Sequence, residues 1–289
     1  MRVVATVAIC CGLGGCAQGV LDPQGPVAFA QRTILFNSVT IMLAIIIPVI
    51  VATLIFAYRF RSSNTRAPYW PDWEYSGRLE LLVWSVPILV VMFVGGIGYL
   101  SSHDLDPAKP LASKEAPLKI QVVSLDWKWL FIYPDQNIAS VNHLVLPAGV
   151  PVEFTLTSAT VMNSFFVPQL GSQIYTMARM ATRLNLQADK PGTYPGLSAQ
   201  YSGAGFSGMR FNAQALTPEQ FKDWIEKTKA EGPELDEACY RALAQPSMSV
   251  MPFTFRHVMT GLFDAIVTPP HEGHTHTARS AACLPGEKG

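Results

Sequence analysis

The spacing of hydrophobic positions changes character along this chain, and each change marks a different kind of element. After the charged start Met1-Arg2, an apolar run from Val3 to Gly12 stops at Leu13-Gly14-Gly15-Cys16. The run is too short to cross a bilayer, and its layout of charge, apolar stretch and small residues is that of a secretion signal. Residues 1–15 read as a lipoprotein signal peptide, with Cys16 as the lipid-carrying start of the mature chain; a plain signal with an incidental cysteine is the alternative. An outer N-terminal segment, 16–32, follows. Nothing between Arg32 and Arg59 is charged, and between Glu80 and Asp104 only His103 could become so near neutral pH. Each gap exceeds the roughly 20 residues a membrane helix needs. Pro48 and Pro87 lie inside them, which membrane helices tolerate. Residues 33–104 are therefore predicted to form a hairpin of two transmembrane helices.

The loop between these helices carries Arg59, Arg61, Arg66 and Arg78, whereas the outer flanks nearby offer little beyond Arg32 and Lys109. Positive charge stays inside, so the loop is predicted cytoplasmic, and Cys16 and the C-terminal domain lie outside. Tyr69, Trp70, Trp73 and Tyr75 fit an interfacial aromatic belt. A lipid on Cys16 would be a third anchor on a chain already held by two helices.

From Lys119 the pattern turns to alternation. Ile120 and Val122, then Val152, Phe154 and Leu156, then Leu184 and Leu186 alternate with polar neighbours, as half-buried strands do. Pro147-Ala148-Gly149, Pro191-Gly192 and Gly203-Ala204-Gly205 break the runs at short spacing. Many short strands with such turns predict an all-β sandwich over 117–213. After Phe211 the spacing is helical. Thr217-Pro218-Glu219-Gln220 combines an N-cap hydroxyl, proline at the first helical position and a capping-box glutamine. Phe221, Trp224 and Ile225 share one face, and a second helix is predicted from Glu234 to Ala244, before Pro246. This short, aromatic-rich helical extension, 214–268, holds nothing that looks catalytic and reads as a module covering the sandwich or a partner. Residues 269–289 read as a disordered tail.

At 289 residues, 49% hydrophobic and 15% charged, the chain is too apolar for an ordinary soluble domain and too charged to lie wholly in a membrane. Zero net charge points to no nucleic-acid partner. Once a signal is removed, Cys239 and Cys283 join Cys16 as the remaining cysteines. They read either as a packed helix residue and a free tail thiol or as an outer-compartment disulfide. His271, His274 and His276 read either as a metal-binding cluster or as part of the tail.

The chemistry-bearing stretch is Ser198-Ala199-Gln200-Tyr201-Ser202-Gly203-Ala204-Gly205-Phe206-Ser207-Gly208-Met209. It joins other unusual strings, Leu125-Asp126-Trp127-Lys128-Trp129-Leu130-Phe131-Ile132-Tyr133-Pro134, Val161-Met162-Asn163-Ser164-Phe165-Phe166-Val167-Pro168 and Leu170-Gly171-Ser172-Gln173-Ile174-Tyr175. On these strings the chain resembles the copper-less subunit II of cytochrome bo-type ubiquinol oxidases, in the haem–copper oxidase superfamily. The resemblance implies a cupredoxin-like fold for the sandwich. Copper-bearing relatives hold a dinuclear copper centre with Cys-x-x-x-Cys-x-x-x-His-x-x-Met and an upstream His. Here those positions are Ser198, Ser202, Phe206 and Met209, with Asn163 upstream. Gln200 replaces a Glu that also serves a magnesium site. Soft thiolates select copper and hydroxyls do not, and the one retained thioether cannot hold a metal pair.

The resemblance thus implies a chain with no metal, no cofactor and no catalytic residue of its own, in a proton-pumping complex that oxidises ubiquinol and reduces oxygen. Haems and copper would belong to subunit I, the other partners being further subunits and membrane lipids. The expected location is a bacterial inner (plasma) membrane, with the large domain periplasmic. Trp127 and Trp129, an electron route in copper-bearing relatives, read here as packing residues. Glu80 matches a relative's Glu at the mouth of a proton channel in subunit I; its plainer reading is a first-turn carboxylate favoured by the helix dipole. A cytochrome c oxidase electron-transfer subunit lacks its ligands here. The remaining rival is an independent outer-face copper-binding or copper-chaperone lipoprotein using His271, His274 and His276.

Overall fold

The computed structural model describes residues 19–268, apart from Tyr69 and Lys114. The signal segment with Cys16, and the tail with His271, His274, His276 and Cys283, lie outside the described residues. The chain divides into a helical unit, 30–106, and an outer domain built from the residues on either side.

Helices α1 (Pro26–Arg59) and α2 (Gly77–Asp104) are both long and apolar enough to cross a membrane. Ile47, Leu54, Phe56, Leu81 and Phe93 are all exposed along them. A helix that is apolar all round belongs in hydrocarbon or in a large core. Trp70, Trp73 and Tyr75 are exposed in the connection. Helix α1 starts at Pro26 rather than after Arg32, because its first turn is part of the outer domain. Val27 and Ala28 are buried there. Gly171, at φ 154°, leaves space for Val27, whose Cβ would lie 2.9 Å from any Cβ placed on that glycine.

The outer domain is a sandwich of two mixed sheets. One has six strands in the order β12-β3-β2-β1-β5-β8 and the other five, β4-β10-β9-β6-β7. The first comprises β1 (Leu118–Leu125), β2 (Lys128–Tyr133), β3 (Ile138–Val141), β5 (Pro151–Ser158), β8 (Thr182–Gln187) and β12 (Phe253–Phe255). The second comprises β4 (His143–Pro147), β6 (Asn163–Phe166), β7 (Ile174–Thr176), β9 (Gly192–Ser198) and β10 (Arg210–Leu216). Strands β1 and β5 run parallel, as do β4 and β10. The sandwich runs past residue 213, because β10 stays paired with β4 as far as Leu216 opposite Pro147.

Between the sheets lie Trp129, Phe131, Phe154, Phe165 and Phe211, all buried. Phe165 and Phe211 stack at 5.1 Å, and Trp129 meets both edge-on. Tyr133 ties one sheet to the other. Its hydroxyl donates to the Val145 carbonyl and accepts from the Val145 N–H, each at 2.8 Å. Burial pushes this phenol well above its ordinary pKa.

The C-terminal extension is not purely helical. It contains α3 (Pro218–Ala230), α4 (Glu237–Ala244) and α5 (Leu262–Val267), the short pair β11 (Glu234–Leu235) and β13 (His257–Val258), and β12, which joins the sandwich beside β3. The capping box on α3 forms as its residues foretell: the Thr217 hydroxyl accepts from the Gln220 N–H, and the Gln220 side chain accepts from the Thr217 N–H. Helix α4 starts at Glu237, not Glu234, because Asp236 caps it by accepting from the Cys239 N–H at 2.8 Å. Cys239 is packed within α4, buried, as the helix-residue reading expected, and it is disulfide-bonded.

Leu235, Leu243, Phe255, Leu262 and Phe263 of the extension form a second core with Val123, Leu125, Leu130 and Ile132 of the six-stranded sheet. Each such side chain contributes roughly 1.5–3 kcal/mol on burial. The extension therefore covers the sandwich itself.

Candidate functional site

Strands β6 and β9 pair antiparallel, with Phe165 opposite Ser198, which brings the start of one beside the end of the other. The segment between β9 and β10 returns through a single helical turn at Phe206–Gly208. Its two ends are fastened by Ser198 N–H to the Met209 carbonyl at 3.2 Å and by Ala199 N–H to the Ser164 carbonyl at 3.0 Å.

At the base of this segment the Ser198 hydroxyl has two acceptors within reach, Asn163 Oδ1 at 3.1 Å and the Gln200 carbonyl at 3.2 Å. Asn163 Nδ2 donates to the Val161 carbonyl at 3.3 Å. The network continues inward. The Asn163 carbonyl accepts from Thr176 at 3.4 Å, and the Thr176 and Ser124 hydroxyls lie 2.9 Å apart. Beside them Ser164 donates to Gln173 Oε1 at 3.3 Å. Ser124, Asn163, Ser164, Thr176 and Ser198 are all buried. Buried polar atoms are costly unless paired, so this closed set supports itself without an added ligand.

The outer half of the segment is different. Ser202 Oγ lies 4.0 Å from the sulfur of buried Met209. Phe206 packs edge-on against exposed Tyr201 at 5.6 Å. The structure thus joins Asn163 to Ser198 and Ser202 to Met209, leaves Gln200 contributing its carbonyl, and gives Phe206 an aromatic neighbour.

Trp127 roofs the segment from the β1–β2 turn. Its indole N–H donates to the Ser202 carbonyl at 2.9 Å. Its backbone sits at φ 65°, an uncommon setting for a bulky residue that costs on the order of 1–2 kcal/mol. A Cβ on Gly205 would run into the indole, so glycine is required for this approach. Trp129, by contrast, is wholly inside the core.

The donor set does not fit a dinuclear copper. Two hydroxyls, an amide already hydrogen-bonded and a phenyl ring stand where thiolates and imidazoles would be needed. Among the described residues, no three His, Cys, Asp or Glu side chains converge.

Sequence reasoning missed Lys128, which is buried. Its ammonium donates to the Gln245 carbonyl at 2.7 Å and to Ser247 Oγ at 2.6 Å, tying the segment after α4 to the β1–β2 turn. Burial lowers its pKa, partly countered by nearby Asp126. The available signal was a lone lysine opening the apolar run Trp129–Tyr133. Glu80 stands in the first turn of α2, exposed, with its N–H bonded to the Ser76 carbonyl at 2.9 Å.

Two apolar helices precede a mixed sandwich with a cupredoxin-like fold, with a loop between β9 and β10 at the strand ends. The family model described as cytochrome C oxidase subunit II, periplasmic domain, matches residues 134–216, and that described as COX Aromatic Rich Motif matches residues 229–269. The cytochrome bo(3) ubiquinol oxidase subunit 2 of Pseudomonas aeruginosa is 50% identical over 256 residues, covering 89% of this chain and 77% of that protein. The ubiquinol oxidase subunit 2 of Acetobacter aceti is 47% identical over 263 residues, covering 90% and 85%. The crystal structure of the periplasmic domain of subunit II of cytochrome oxidase (CoxB) of Bradyrhizobium japonicum is 22% identical with a TM-score of 0.39, covering 41% of this chain and 98% of that one. This chain belongs to the ubiquinol oxidase subunit 2 family. It is a membrane-anchored subunit of an oxidoreductase complex, and the independent copper-chaperone reading is set aside.

Proposed function

We propose that this chain serves a complex that oxidises ubiquinol and reduces oxygen to water, and that it does so without binding a metal. Its close relatives carry the name of such an oxidase, which supplies the substrate. The observation that carries the metal-free reading is the Ser198–Asn163 hydrogen bond, which occupies the ligand positions with a self-satisfied polar pair. Haems and copper then belong to the partner subunit. This chain contributes assembly and support, and Glu80 gathers protons at the cytoplasmic end of α2. The arginine-rich connection faces the cytoplasm, the outer domain faces the periplasm, and Cys16 carries a lipid.

The test is purification of the complex in mild detergent, followed by a visible spectrum, mass spectrometry of the co-purifying chains and electron paramagnetic resonance. The expected result is a haem-bearing partner and no mixed-valence dinuclear copper signal. A stoichiometric dinuclear copper signal assigned to this chain would overturn the proposal.

A further inference from the structure

Where α1 ends, the chain folds back on itself. Asn64 Nδ2 donates to the Arg59 carbonyl at 2.6 Å, capping the helix, and Asn64 N–H bonds the Arg61 carbonyl at 2.9 Å. The Asn64 side-chain oxygen accepts from the Arg66 N–H at 3.2 Å. The Arg61 guanidinium lies over the Tyr58 ring at 4.3 Å and donates to Ser63 at 2.9 Å. This turn borders an open surface groove of about 500 Å³ lined by Leu54, Ile55, Tyr58, Arg59 and Asn64.

The lining is chemically graded. Leu54 and Tyr58, and likewise Ile55 and Arg59, are spaced four apart, so they form two neighbouring rows along the helix surface. The rows are apolar on the side of the membrane span and end in a guanidinium and a phenol. Among the described residues, Arg59 has no acidic partner. It is also the first charged residue after Arg32, which sets it at the edge of the hydrocarbon.

We propose that this crevice is a binding site for one anionic phospholipid. The phosphate pairs with Arg59, and an acyl chain lies along Leu54 and Ile55. Apolar rows running into the span provide for a chain that a free phosphate lacks, and the cationic end favours an anionic headgroup over a zwitterionic one.

The test uses the complete complex in discs of equal parts phosphatidylcholine and phosphatidylglycerol, extracted in mild detergent. Native mass spectrometry then counts the phosphatidylglycerol retained. Arg59→Gln should lower the retained lipid roughly fivefold, in line with the usual contribution of a basic residue at an anionic surface. Arg66→Gln, on the same turn but outside the groove, should leave it unchanged. Excess inorganic phosphate should not displace the lipid. Unchanged retention in Arg59→Gln, an equal fall in Arg66→Gln, or displacement by inorganic phosphate would each overturn the site. Lipid retention is read independently of copper and turnover, so this result stands apart from the test of the metal-free reading.

Discussion

Ser198 and Asn163 face each other across the β6–β9 seam, hydroxyl to amide oxygen, at 3.1 Å. Family resemblance puts a thiolate and an imidazole of copper-bearing relatives at these two positions. The backbone that would hold both is fastened here by the bonds from Ser198 to Met209 and from Ala199 to Ser164. At this seam the side chains bond to one another.

That arrangement makes the loop convertible. The full-length protein is expected to take up no stoichiometric copper. The combination Asn163→His, Ser198→Cys, Gln200→Glu, Ser202→Cys and Phe206→His supplies thiolate and imidazole donors that suit copper, and a purple mixed-valence centre is expected. Copper analysis and visible spectroscopy of both proteins check this.

Cys16→Ser is expected to block lipoprotein processing yet leave the protein in the membrane, since α1 and α2 remain. The oxidase should keep most of its activity. Fractionation after alkaline washing decides the matter, and mutant protein in the soluble fraction would contradict the helix assignment.

Glu80→Gln keeps the side-chain shape and removes the titrating group. Slower quinol-dependent oxygen uptake is expected, with parental haem content and assembly, and a milder effect from Glu80→Asp. Parental turnover in a fully assembled Gln variant would reduce Glu80 to a residue that starts α2.

Lys128 gives a pH signature. Its pKa is lowered in the fold by burial, whereas in the unfolded chain it stays near 10.5. Between the two values the unfolded state holds the extra proton, so stability contributed by this group rises with pH. As pH rises toward 10.5, the unfolding midpoint of the parent should climb relative to Lys128→Met. The variant, having lost two hydrogen bonds, should be less stable at neutral pH by about 1 kcal/mol. Parallel pH profiles would show that Lys128 titrates normally.

Much of the architecture was legible in sequence because it rests on periodicity. The apolar runs gave α1 and α2, alternation gave β1, β5 and β8, and Thr217 to Gln220 gave the start of α3. Strand β2 was harder to read, since its six residues are all buried and do not alternate. The reason is that Trp129, Phe131 and Tyr133 face the sandwich interior while Leu130 and Ile132 face the extension. Asn163, Ser198, Ser202 and Phe206 were singled out through the family resemblance rather than by periodicity. Ser124, Ser164, Gln173 and Thr176 were not, because a network assembled from separate strands has no signature along the chain.

Strand β12 pairs with β3, residue Phe253 opposite Val141, although most of the domain lies between them in sequence. Strand β3 therefore stays the sheet's unpaired edge, and the apolar outer face stays uncovered, until the last part of the domain has been delivered across the membrane. Contacts so distant in sequence form late, and an open edge with bare apolar surface is what aggregates or recruits chaperones. The C-terminal extension thus completes the outer domain: a chain cut short before Phe253 would have every strand of the five-stranded sheet and is expected not to become a stable outer domain.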